Sequence, residues 1–363
     1  MKILFIARAT LYKDTGGDTI QILRTADYLV KEGVQVSIRL ANEEIDYKPF
    51  DLIHFFNIIR PSDILFHVKV SRKPYVVSTI YVDYSEYEKK VRKGFAGCLA
   101  RSLPPDTIEY LKVIARYLLN GERIVSRDYF WSGHGNSVKK IIKESSFLLP
   151  NSQSEYNRLT SHYKIQARYK VIPNAIDPLL FVREDYKNLR SDRLVICVGR
   201  IEGRKNQLNL IKALNNTAYE LKIIGSPSAN QQSYYNACRQ EAAGNVSFIP
   251  NTTQQELVSY YLRAKVHVLA SWFETTGLSS LEAAVLGCNI VITDKGDSRE
   301  YFEDYAYYCN PESPDSIFSA VERASSSYFD ERIRFKILTQ YTWMYTAQRT
   351  LEAYREVIGE LII

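Results

Sequence analysis

What most limits how this chain can fold is an alternation of short apolar runs with glycine-marked turns and helical stretches, which runs once, stops and starts again. Residues 2–7 are rich in Ile, Leu and Phe and break into a polar segment ending in Gly16 and Gly17, as a buried strand followed by a loop would. Ile20, Leu23, Ala26, Leu29 and Val30 then recur at helical spacing, Gly33 follows as a stop signal, and residues 34–40 return to strand composition. That completes one βαβ unit. Further strand-like runs at 52–56, 75–80, 146–149 and 169–172 continue the pattern expected of a parallel sheet. After Pro173-Asn174-Ala175-Ile176-Asp177-Pro178 it restarts, with runs at 194–198, 220–224, 246–249, 266–270 and 289–292, each followed by a helical stretch.

The expected fold class is therefore α/β, with two Rossmann-like domains. The first covers residues 1–175 and the second 190–340, and a helical pattern at 343–363 follows the second sheet. A length of 363 residues agrees, since domains run to roughly 100–200 residues each. No run reaches the ~18 apolar residues of a membrane span, and the first segment lacks a signal cleavage site, so a cytoplasmic protein is expected. Cys98, Cys197, Cys238, Cys288 and Cys309 are widely spaced with no C-x-x-C pair, which points away from a disulfide framework or a zinc site and towards reduced, buried thiols. A net charge of +6 is modest, and no basic stripe with interleaved aromatics is present. Nucleic acid is not an expected partner; anionic small ligands or a loose membrane-surface association suit the charge.

Two constellations carry chemistry. Gly199-Arg200-Ile201-Glu202-Gly203-Arg204-Lys205 stands just beyond the first strand of the second domain, at the sheet edge where open α/β folds bind ligands. A glycine permits a sharp exit from the strand, and Arg200 and Lys205 can aim two positive charges at a diphosphate leaving group. The second, Phe273-Glu274-Thr275-Thr276-Gly277-Leu278-Ser279-Ser280-Leu281-Glu282-Ala283-Ala284, again follows a strand and holds an E-x₇-E spacing across a glycine loop and a helix start. Backbone N–H groups near Gly277 and Leu278 offer an anion site. Plainer alternatives exist: Ser279-x-x-Glu282 also spells a capping box, Glu274 could be an exposed loop carboxylate, and the basic loop could be solvated surface.

With these blocks in register, the chain resembles glycosyltransferase family 4, retaining enzymes of the two-domain GT-B fold. The similar stretches are Gly16-Gly17, Val171-Ile172-Pro173-Asn174-Ala175-Ile176-Asp177, Val198-Gly199-Arg200 through Lys205-Asn206, and Phe273-Glu274 through Glu282-Ala283. The resemblance implies two domains facing each other across a cleft, with the final helix crossing back to the first. It implies that Arg200 and Lys205 hold the donor diphosphate, that Glu282 binds the nucleotide ribose, and that Glu274 contacts the transferred sugar. The backbone of Thr275, Thr276, Gly277, Leu278 and Ser279 would lie against sugar and phosphate, and Gly16-Gly17 would face the diphosphate from the first domain. Catalysis would rest on Glu274, Arg200 and Lys205.

One departure stands out. Family members often carry a histidine after the strand at 75–80, where this chain reads Ser78-Thr79-Ile80-Tyr81-Val82-Asp83-Tyr84. Tyr81 or Asp83 would take its place, and His134, between Gly133 and Gly135 in what reads as a loop, is a further candidate. His54, after a strand-like run, reads as structural. Residues 81–101, with Lys89, Lys90, Arg92 and Lys93 beside Phe95 and Leu99, could touch an anionic membrane or a lipid-linked acceptor, or form a solvated helix face.

No D-x-D or clustered metal ligands are evident, so no metal or cofactor is expected beyond a UDP- or GDP-linked sugar donor as substrate. The expected function is retaining, metal-independent hexosyl transfer to a hydroxyl of a glycan or lipid-linked acceptor, in bacterial surface-polysaccharide synthesis, with possible peripheral association at the inner face of the membrane. The rivals are a nucleotide-sugar epimerase or hydrolase of the same fold, and a catalytically inert partner subunit of a polysaccharide-assembly complex. A dehydrogenase is disfavoured, because G-x-G-x-x-G is missing after the first strand.

Overall fold

In the computed structural model the described residues are 1–13, 15–91, 103–120, 127–181, 190–250 and 252–360. Arg92, Lys93, Phe95, Cys98 and Leu99, all within the basic segment noted above, lie outside them. The chain divides into two compact units, one of Met1–Tyr81, Glu88–Asn174 and Trp343–Ile363, the other of Val82–Tyr87 and Ala175–Thr342.

The first unit is built on five parallel strands, β1 (Lys2–Ala7), β2 (Gln35–Leu40), β3 (Leu52–Phe56), β4 (Tyr75–Ser78) and β5 (Phe147–Leu149), in the order β2-β1-β3-β4-β5. Strands β3 and β4 are buried along their whole length, as central strands covered on both faces must be. Helix α1 (Gly17–Lys31) follows β1. The expected strand at 169–172 is not formed. Tyr169 makes a single bridge to Leu148, because Pro150 has no N–H with which to form the next one, although its carbonyl still accepts the Ile172 N–H at 2.8 Å. The terminal helix, Trp343–Glu360, packs against α1 in this unit. Thr346 Oγ1 donates to the Pro173 carbonyl at 2.7 Å, and the Tyr354 hydroxyl meets His54 Nδ1 at 2.5 Å. His54 is thus structural, wedged between Tyr354 and Ser78.

The second unit is a six-stranded parallel sheet of β6 (Ser191–Val198), β7 (Glu220–Ile224), β8 (Val246–Ile249), β9 (Ala264–Leu269), β10 (Asn289–Thr293) and β11 (Ala306–Cys309), ordered β11-β10-β9-β6-β7-β8. Strand β11, Ala-Tyr-Tyr-Cys, is an edge strand too short and too mixed to show as an apolar run. The order reverses between β6 and β9, which makes their carboxyl ends the switch point where such sheets bind ligands. Cys197, Cys238, Cys288 and Cys309 are free and buried. No helix among the described residues is long and apolar enough to cross a membrane.

Candidate functional site

Both sequence constellations emerge at that switch point. Gly199, at φ 150°, turns the chain out of β6, and its N–H bonds the Ile224 carbonyl at 3.0 Å. Gly225 follows Ile224 at φ 144°, packed so closely on the Gly199 carbonyl that a Cβ there would strike it. Two glycines let two strand ends approach without side chains between them. The chain then passes Arg200, buries Ile201 and Glu202, makes a 3₁₀ turn over Gly203–Lys205 and reverses at Asn206, whose amide donates to the Ala270 carbonyl at 2.9 Å and the Pro311 carbonyl at 2.7 Å. The Trp272 N–H bonds the Arg204 carbonyl at 2.9 Å, fastening the loop after β6 to the loop after β9.

Across that seam Lys205 Nζ lies 2.6 Å from Glu274 Oε1, which also accepts the Ser271 hydroxyl at 2.5 Å. Glu274 is only 5% exposed, so the exposed-carboxylate alternative does not hold. Its backbone is pinned as well: the Glu274 N–H donates to the Lys295 carbonyl at 3.1 Å and its own carbonyl accepts the Asp297 N–H at 2.8 Å. Burial lowers the Lys205 pKa but Glu274 more than reverses this, and the net direction is upward. The ammonium therefore stays charged, with further donors to offer a ligand.

Glu202 is a residue of this loop system that the motif reading passed over. Buried at 6% exposure, its carboxylate takes Arg204 Nη2 at 3.3 and 3.2 Å and Ser228 Oγ at 3.0 Å, with Arg200 Nη2 at 3.7 Å. Burial pushes its pKa up, yet Arg204 and then Arg200 outweigh this and hold it below the usual range. The alternating charges of Arg200, Glu202 and Arg204 were the available signal.

Gly277 adopts φ 70° at the N-cap of a helix over Leu278–Val285, and a Cβ there would crowd Ile292 Cδ1 at 3.1 Å. The helix opens at the carboxyl edge of β9, where its positive end favours an anion, with the Ser280 N–H already given to the Gly277 carbonyl at 2.8 Å. The capping box is not formed: Gly277 is the N-cap, Ser279 Oγ donates to the Val198 carbonyl at 3.0 Å, and Glu282 Oε2 accepts the Tyr261 hydroxyl at 2.9 Å. Burial pushes the Glu282 carboxyl up to about 7, over the opposing pull of Tyr261. Thr276 is buried and Thr275 half-buried between the two glutamates.

The remaining candidates each have their own surroundings. Gly16 caps α1 with extended backbone (φ −153°) and donates its N–H to Thr19 Oγ1 at 3.2 Å, a geometry that does not require glycine. Tyr81 is buried in the first unit's core beside His162 and Tyr163, its N–H held by Glu155 Oε1 at 2.8 Å. Asp83 is exposed, belongs to the second unit, and caps the Ser85 N–H at 2.9 Å. His134 corrects the loop expectation: it is buried within a helix over Arg127–Glu144, just after a break at Gly133 (φ 72°), with Nδ1 3.1 Å from the Tyr129 hydroxyl. The helix wins because Val138, Ile141 and Ile142 give it a fully buried face.

Comparison with known proteins places this chemistry in context. A family described as "Glycosyl transferases group 1" matches residues 182–337. The chain is 26% identical over 251 residues to a D-inositol 3-phosphate glycosyltransferase of Paenarthrobacter aurescens, covering 62% of this chain and 61% of that protein, so it spans less than two thirds of that relative's length. It is 22% identical over 317 residues to the N-acetylgalactosamine-N,N'-diacetylbacillosaminyl-diphospho-undecaprenol 4-alpha-N-acetylgalactosaminyltransferase of Campylobacter jejuni, covering 81% of this chain and 82% of the other. Sucrose-phosphate synthase from Thermosynechococcus elongatus superposes with a TM-score of 0.77 at 15% identity, over 99% of this chain and 100% of that structure. The fold is thus that of two Rossmann-like domains, GT-B.

Proposed function

We propose that this chain is a glycosyltransferase that moves a sugar from a nucleotide diphosphate donor to a hydroxyl of a glycan or lipid-linked acceptor. One observation carries the proposal. The Lys205–Glu274 contact joins the basic loop after β6 to the E-x₇-E loop after β9, at the switch point of the sheet and beside the helix start at Gly277. A diphosphate needs cations and N–H donors, and a transferred sugar needs an acceptor for its hydroxyls; this arrangement supplies both within one loop system.

In the proposed reaction the acceptor hydroxyl attacks the anomeric carbon as the bond from that carbon to the diphosphate oxygen breaks. The departing phosphate takes the hydroxyl's proton on the same face, so configuration is retained. Arg200, Lys205 and the first-turn N–H groups after Gly277 stabilise the growing negative charge, and Glu274 fixes the sugar. Glu282 accepts a ribose hydroxyl. The similarity to an undecaprenol-linked transferase supports a lipid-linked or polymeric acceptor and work at a membrane surface.

The test is calorimetric binding of UDP, GDP and dTDP with their sugars, followed by transfer assays against glycan and polyprenyl-linked acceptors, with and without EDTA. Binding of one nucleotide series and acceptor-dependent, EDTA-resistant turnover are expected. Donor conversion without acceptor would favour the epimerase or hydrolase, binding without any turnover the inert partner, and loss of activity restored by magnesium or manganese a metal-dependent enzyme.

A further inference from the structure

Residues Val82–Tyr87 belong to the second unit although they come from far earlier in the sequence than the rest of it, Ala175–Thr342. They pair with no strand. Instead their side chains meet the loops after β6, β9 and β10. The Arg204 guanidinium carbon lies 4.6 Å from the centroid of the Tyr84 ring, and that ring also meets Phe273 edge-on at 6.1 Å. Tyr87 packs on Trp272 at 6.3 Å, and its hydroxyl fills the space where a Cβ on Gly203 would be. Glu86 Oε1 pairs with Lys295 Nζ at 2.5 Å, on the loop whose backbone pins Glu274.

Arg204 is the pivot. A guanidinium is planar, so it can give its edge to a carboxylate while its face lies on a ring. Glu202 occupies the edge and Tyr84 the face. The same Glu202 Oε1 that takes Arg204 at 3.3 Å is 3.7 Å from Arg200. Where Arg204 sits therefore decides how that oxygen is shared with Arg200. Burial raises the Tyr84 hydroxyl pKa over the lowering pull of Arg204 and Lys205, so the ring faces the cation as neutral phenol.

We propose that Tyr84 is a positioning residue of the donor site, acting through Arg204 and Glu202 to hold Arg200 for the nucleotide diphosphate. This assignment rests on the donor-site reading above. Because the ring face does the work, Tyr84→Phe keeps wild-type affinity, while Tyr84→Ala weakens binding of the bare nucleoside diphosphate about tenfold. The KM for the donor rises with it, and kcat falls as well, because Arg200 also steadies the charge that grows on the leaving diphosphate. Arg204→Lys keeps the charge but loses the planar fork; it shows the same loss and serves as the second variant should Tyr84→Ala not fold. In the Tyr84→Ala/Arg204→Lys double variant the two losses do not add.

The experiment is calorimetry of the full chain with the nucleoside diphosphate that the wild type binds, at a temperature where melting curves show every variant folded. Loss in Tyr84→Ala, rescue in Tyr84→Phe and non-additivity with Arg204→Lys support the assignment. Wild-type affinity in both Tyr84→Ala and Arg204→Lys, or additive losses, would overturn it and leave the donor site standing. A wild-type chain that binds no nucleoside diphosphate at all would overturn both.

Discussion

Lys205 and Glu274, 69 residues apart in sequence, meet through a 2.6 Å contact between Nζ and Oε1 that joins the loops after β6 and β9. On the proposed donor-site reading Lys205 has two duties, to neutralise a buried carboxylate and to face a ligand, whereas Arg200, with a side chain 39% exposed, has mainly the second.

Replacing each cation should separate those duties. Arg200→Ala is expected to weaken nucleotide diphosphate binding by ~1.5–3 kcal/mol with little change in melting temperature, as for one lost charge-assisted contact. Lys205→Ala should weaken binding similarly and also destabilise the fold by ~2 kcal/mol or more, because Glu274 loses its buried partner. Calorimetry and urea unfolding of both variants decide this. Normal binding in both would remove the donor-site assignment, and equal stability would deny the distinction between them.

Glu282 makes a pH-dependent contribution of defined sign. Its carboxyl is raised from the ordinary 4.5 to about 7 in the folded state, so between those values the native protein holds a proton that the unfolded chain releases. Stability from this group is present below 4.5 and is lost as pH rises through 7. His54 acts oppositely, since burial lowers its pKa from 6.5 to about 3 and its contribution is lost as pH falls through that window. Unfolding of wild type and Glu282→Gln across pH 4.5–7 isolates the first term. The wild type should lose stability relative to the variant as pH rises, and parallel curves would contradict this. At pH 8 the variant should also bind every nucleotide ligand more weakly, whatever sugar it carries.

The docking of the terminal helix gives a prediction that does not involve ligands. Tyr354→Phe removes the hydroxyl that meets His54 Nδ1 and leaves a buried polar atom without its partner, at a cost of ~1–3 kcal/mol. Urea midpoints measure it. An unchanged midpoint would mean that this hydroxyl contributes nothing to holding the helix.

Much of this was legible in the sequence because parallel strands buried on both faces must be apolar runs, and glycines must stand where strand ends meet. Gly199 was readable for that reason, and Gly277 because a glycine loop was expected before a helix start. The single bridge at Tyr169 and the short edge strand Ala306–Cys309 were not, since pairing there is set by where Pro150 ends a neighbouring ladder and by a partner strand, both tertiary facts. Glu202 was hidden because a carboxylate between two arginines looks like solvated surface until its burial is seen. Tyr84 was hidden because nothing local tells that residues 82–87 pack with a sheet that begins over 100 residues later. The Ser279-x-x-Glu282 pattern misled in the other direction: it spells a cap, yet Gly277 takes the cap position and Tyr261 takes the glutamate.

The most direct test of the donor-site account is Glu274→Gln, because glutamine still offers an oxygen to Lys205 and Ser271 but carries no charge to meet the sugar as the bond breaks. Calorimetry with the bare nucleoside diphosphate and kcat with the full donor are measured side by side with wild type. Affinity for the bare nucleotide should stay within about threefold while kcat falls by two orders of magnitude or so, the pattern of an interaction made chiefly in the transition state. Wild-type turnover in Glu274→Gln would contradict the account and leave the E-x₇-E block without a catalytic part.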